Sequence, residues 1–167
     1  RCWRIRPSVR FLKKYLQENP VDAIISTGPP HSMHLIAKEL HKKLNIPWIA
    51  DFRDPWTDID YFKLLKLSKR SLKKHHKLQY EVLTEADNVV AVSWNWAKGL
   101  ESHGAKNVSV ITNGYDFDTE NINTKPELSR DFTISHIGVL RAMKNAELFW
   151  STLGELIKDR SEERRVG

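Results

Sequence analysis

The sequence predicts an α/β fold, a parallel sheet with helices on both faces. Short apolar runs alternate along the chain with stretches in which apolar residues recur at three and four. The short runs are apolar throughout instead of at every second residue, as suits strands covered on both faces. Glycine, proline and asparagine punctuate the boundaries.

The elements follow in order. Ser8 to Glu18 places Val9, Leu12, Tyr15 and Leu16 on one helical face, and Asn19-Pro20 stops that helix. Val21 to Ser26 is a β-rich run closed by Thr27-Gly28-Pro29-Pro30, and Pro30 suits the first position of a helix carried by Met33, Ile36, Ala37, Leu40 and Leu44. Ile46 to Ala50 reads as a second strand, ending at Asp51-Phe52-Arg53-Asp54-Pro55-Trp56. One long helix is expected from Tyr61 to Ala86, with basic residues, His75 and His76 on its solvated sides. Asp87 to Val92 is a third strand, Ser93 an N-cap for Trp94 to Ser102, and Gly104 a left-handed terminator. Asn107 to Thr112 is a fourth strand, Phe132 to Gly138 a fifth, and Ala146 to Lys158 a final helix. The order is that of a Rossmann-like doubly wound layer. It implies a partial first domain over 1–115, a linker over 116–131, the start of a second domain over 132–160, and an unstructured tail over 161–167 that could be foreign to the natural frame.

Composition narrows the classes. With 40% hydrophobic and 29% charged residues the chain is of ordinary globular make-up, and its one cysteine, Cys2, excludes an internal disulfide or a cysteine-based zinc cluster. A reducing, cytoplasmic setting is expected. The longest aliphatic stretch is four residues, Val89 to Val92, against the roughly 20 that cross a bilayer. The net charge of +6 is uneven: residues 1–86 carry 17 Lys/Arg against 9 Asp/Glu, and seven of those cations lie between Lys63 and Lys77 without an acid. That run is either a solvated helix face or a contact for an anionic partner, nucleic acid or a lipid surface, the latter being the inner face of the membrane in a peripheral protein. No Gly-x-Ser-x-Gly, Walker-type or Gly-x-Gly-x-x-Gly pattern occurs, so serine hydrolase, nucleotide kinase and simple dehydrogenase readings fall away.

In open parallel sheets ligands bind beyond the carboxyl ends of strands. The segments at such ends, Val21 to Ser32 with its Ser-Thr-Gly-Pro-Pro-His, Ile49-Ala50-Asp51-Phe52-Arg53-Asp54-Pro55-Trp56, Ala86 to Ser93, and Val110-Ile111-Thr112-Asn113-Gly114-Tyr115-Asp116, together resemble a family-4 glycosyltransferase of the GT-B fold. The likeness covers about residues 5–158. It implies two facing Rossmann-like domains, acceptor on the first and nucleotide-sugar, UDP- or GDP-linked, on the second. It also implies an incomplete GT-B fold, a fragment inactive by itself, without the Glu-x7-Glu element that holds the donor sugar. The reaction would retain anomeric configuration and need no cofactor beyond the donor substrate.

By that resemblance Gly138 and Lys144 match a Gly-x5-Lys that meets the donor diphosphate, with Arg141 in place of an arginine that relatives carry directly after the glycine; Asn113 and Gly114 join the donor side. On the acceptor side, Asp51 and Asp54 could orient or deprotonate a sugar hydroxyl, and Arg53 could hold an anionic glycan or lipid-linked acceptor. The same three residues could equally form a structural ion pair and cap. Trp56 could stack on a sugar or simply pack, and Thr27, Gly28 and Pro29 would present backbone to the cleft. His31 is a catalytic candidate, or a side chain that covers a helix N-terminus. His31 and His34 could supply two metal ligands, but no third is fixed, and Asp51 to Asp54 is not Asp-x-Asp, so no metal is expected. Two other functions remain open: a nucleotide-sugar epimerase of the same architecture, and a non-catalytic basic module. Nucleic acid is not the expected partner.

Overall fold

A computed structural model gives the structure of the protein; it describes residues 4–116, 133–138 and 146–163. The chain divides into two compact units, Arg1–Phe117 and Asp118–Gly167. The first holds α1 (Ile5–Glu18), β1 (Ile24–Gly28), α2 (Ser32–Leu44), β2 (Trp48–Phe52), a 3-10 helix (Asp60–Leu65), α3 (Lys69–Glu85), β3 (Asn88–Ala91), α4 (Trp94–Ser102) and β4 (Val108–Val110). The strands form one sheet in the order β1-β2-β3-β4, each pair parallel. Sequence order and spatial order coincide, so every crossover steps the same way and all four carboxyl ends reach one edge.

Parallel strands alternate faces, and the register decides which residues meet the core. Trp48, Ala50, Phe52, Val89 and Ala91 point to one face, where they pack with Leu35 and Ala37 of α2, Val82 and Leu83 of α3, and Ala97 and Leu100 of α4. The opposite face carries Ile25, exposed at 70%, and the half-buried Ile49, Asp51 and Val90. Helix α1 adds Val9 against Ile36 and Leu40. Lys38 pairs with Glu81 and Lys42 with Glu85, which ties α2 to α3 outside the apolar layer.

The caps obey local chemistry. Ser93 accepts from the Trp96 N–H at the start of α4, and Gly104 follows that helix at φ 105°, where an added Cβ would lie 2.9 Å from the Tyr80 ring. Asn45 ends α2 at φ 54°, and Lys42 and Lys43 place cations at its negative end.

Where the structure departs from the expectations, packing or local chemistry gives the reason. The single long helix from Tyr61 is two: Lys66 at φ 44° breaks it, and Ser68 caps a new start by accepting from Ser71. Thr133–Gly138 forms no strand; no other segment of the second unit, among the described residues, offers a strand to pair with. Helix α5 (Glu147–Glu163) runs into the segment read as an unstructured tail, because nothing from Asp159 to Glu163 is a helix breaker. The expected absence of a Glu-x7-Glu spacing is also corrected, since Glu147 and Glu155 have it within α5.

Candidate active site

The common strand edge gathers polar side chains that are far apart in sequence. Thr27 and Asp51 are register partners across β1 and β2, on the face opposite the core, and the Thr27 hydroxyl donates to Asp51 Oδ2 at 2.8 Å. Phe52, next along, is buried at 1%, which turns Arg53 back toward the open side. The Arg53 N–H extends the ladder to the Gly28 carbonyl at 3.1 Å, and its guanidinium Nη2 donates to Asn113 Oδ1 at 2.6 Å. Asn113 follows β4, whose line is continued by Ile111 N–H bonded to the Ala91 carbonyl. A band of side chains thus runs from β1 across β2 to the exit of β4.

The band has spare capacity. A guanidinium carries five N–H donors, and Arg53 uses one among the described residues. The second oxygen of Asp51 has no hydrogen bond among them. An exposed guanidinium with free donors grips phosphate or carboxylate, and a fixed carboxylate oxygen accepts from a hydroxyl.

Behind the band lies an aromatic layer. His31 stacks on Trp56 with centroids 4.9 Å apart, and His34 on Phe52 at 4.5 Å. Trp56 is 6% exposed, and its Nε1 donates to His75 Nδ1 at 3.1 Å, so packing accounts for much of its surface. His34 is fully buried and shares a hydrogen bond with Ser26 Oγ, which also accepts from Trp48 Nε1, both at 2.8 Å. Two imidazole nitrogens, His31 Nδ1 and His34 Nε2, are buried without a protein partner. They converge over Gly28, where a Cβ would lie 2.9 and 2.6 Å from them, so glycine there is a requirement of space. The Gly28-Pro29 and Pro29-Pro30 peptide bonds are both cis.

Burial sets the charge state of both histidines. It pushes His31 down to about 4, aided by His75 and opposed by the Asp54 carboxylate and the Pro55 backbone. It pushes His34 down to about 3, aided by His31. Near neutral pH both are uncharged, and neither serves as an imidazolium acid.

Thr27 and Asp51 form one bonded pair and Arg53 and Asn113 another along the same strand edge, while His31, with the Asp54 carboxylate acting on it, belongs to the aromatic layer. Gly28 and Trp56 belong to the layer beneath. A Cβ on Gly114 would meet nothing within 4 Å. Gly138, at φ 142°, belongs to the second unit, and Arg141 and Lys144 lie outside the described residues. Sequence reasoning missed Ser26, His75 and Gln79. His75 is not on the solvated face of α3: with Ser71, Gln79 and Val82 it forms the inner stripe, and Gln79 Oε1 accepts from the Thr57 N–H at 2.9 Å. Their spacing of three and four was the available signal, hidden by the lysines around them. No cluster of three or more His, Cys, Asp or Glu fit to hold a metal occurs among the described residues.

The family model described as Glycosyltransferase Family 4 matches residues 1–119, which span α1 to β4 and the whole strand-edge band. No curated protein and no solved structure matches the chain.

Proposed function

Since the chain belongs to glycosyltransferase family 4, we propose that the strand-edge band receives the acceptor in sugar transfer from a UDP- or GDP-linked donor. The observation that carries this reading is the two hydrogen bonds at the strand edge, Thr27 to Asp51 and Arg53 to Asn113, which leave a carboxylate oxygen and several guanidinium donors open there. Arg53 binds the phosphate of a lipid-linked acceptor, or an acidic group of a glycan. Asp51 accepts from the attacking hydroxyl and orients it.

Transfer with retention follows without a protein nucleophile. The acceptor oxygen forms its bond to the anomeric carbon as the bond to the leaving diphosphate breaks, and the hydroxyl proton passes to that phosphate on the same face. Asp51 holds the hydroxyl at the required angle, and Gly138, Arg141 and Lys144 are the residues proposed to meet the diphosphate. Those three belong to the second unit of the chain, Asp118–Gly167.

Calorimetric titration with a short-chain prenyl diphosphate sugar tests the reading. Binding that falls about tenfold or more in Arg53→Ala, as expected for a lost charge-assisted contact of about 1.5–3 kcal/mol, and several-fold in Asp51→Asn, supports it. Equal affinity in wild type and both variants refutes it.

A further inference from the structure

A second feature lies away from the strand edge and shares no residue with it. Helices α1, α2 and α3 enclose a groove of about 750 Å³ floored by Ile5, Val9, Leu35 and Leu78. Its rim is cationic. Lys38 and Lys43 are matched by Glu81 and Glu39, but Arg6, Arg10, Lys13 and Lys74 have no ion pair or hydrogen bond among the described residues. Unmatched cations over an aliphatic floor are the chemical complement of an amphiphile with an anionic head.

We propose that this groove seats an anionic phospholipid and that α1 and α3 form a membrane-contact face around it. Two exposed patches, one sharing Arg10 with the groove and one in the cationic run that holds Lys74, distinguish this occupant from an acidic protein helix. Arg10 also lines a patch with Phe11, Lys14 and Tyr15, where the two rings stack and are 70% and 51% exposed. Lys74 belongs to the acid-free run from Lys63 to Lys77, which also carries Leu64 and Leu65, 62% and 53% exposed, at the end of the 3-10 helix that precedes α3. Exposed aromatic and leucine side chains set between lysines and arginines are the signature of an interfacial surface: the cations meet headgroups and the apolar side chains enter the acyl boundary. A helix bound in the groove would leave both flanking patches unused.

The inference does not depend on sugar transfer, and its test reads no turnover. The 167-residue chain is sedimented with vesicles of phosphatidylcholine alone and of phosphatidylcholine with phosphatidylglycerol. Binding to the anionic vesicles, weakened by salt, is expected. The triple variant R10Q/K13Q/K74Q should bind on the order of a hundredfold more weakly, at roughly fivefold per cation lost. Phe11→Ser should also weaken binding, and K98Q/K106Q, which removes exposed cations elsewhere, should have at most a small effect. Circular dichroism checks that each variant is folded. Equal binding to both vesicle types, equal losses in the two lysine-bearing variants, or binding of an acidic helical peptide in the groove with none of vesicles would each overturn the proposal.

Discussion

Gly28 shows how one residue governs the ground beneath the site. Its missing Cβ is the space into which His31 Nδ1 and His34 Nε2 point, at 2.9 and 2.6 Å from where that atom would be. Gly28→Ala must displace the buried His34 ring and the half-buried His31 ring, stacked on Phe52 and Trp56, and a destabilisation of about 1–3 kcal/mol in urea unfolding is expected, as for other overpacked cores. The histidines also make stability pH-dependent. Both have folded values below 6.5, so between that value and about 4 for His31, or about 3 for His34, the unfolded chain takes up protons that the folded chain refuses. Stability is complete above this window and is lost as the pH falls through it, by up to about 1.4 kcal/mol per pH unit for each ring. Urea midpoints measured from pH 7 to 4 should fall, and His34→Phe should flatten the slope; an unchanged slope would remove the basis for the neutral pair.

At the scale of elements, Ser26 is the joint between β1, α2 and β2, because its single hydroxyl serves both His34 and Trp48. Ser26→Ala strips partners from two buried groups at once and should cost about 2 kcal/mol or more, measured by chemical denaturation. Such joints show why some of the fold was legible in sequence and some was not. Helix α4 could be read directly, since Ser93 and Gly104 are local signals within a turn of its ends. Strand β1 was displaced: the apolar run begins at Val21, but the strand begins at Ile24, where Trp48 becomes available as its neighbour. A strand's limits depend on its partner, which local sequence does not specify. The same holds for Thr133–Gly138, whose β-rich composition is not enough without an adjacent strand. In the site, Asp51, Arg53 and Asn113 were each identifiable from their place after a strand, yet Arg53 was assigned to the acceptor and Asn113 to the donor, and the two are hydrogen-bonded to each other. Their union depends on three parallel pairings, and no local pattern encodes it.

For the molecule as a whole, the decisive property is that four strands run side by side in one direction and in chain order. That arrangement brings residues from Thr27 to Asn113 to one edge, and the cationic groove lies among the helices. Of the cations in the first half of the chain, Arg6, Arg10, Lys13 and Lys74 line the groove and Arg53 lies at the strand edge. Amide shift mapping by heteronuclear NMR, with the prenyl diphosphate sugar titrated into the chain, tests the central claim most directly. The account predicts that the perturbed amides cluster at Thr27, Asp51, Arg53 and Asn113 and that Arg53→Ala silences them; perturbations that spare all four would contradict it.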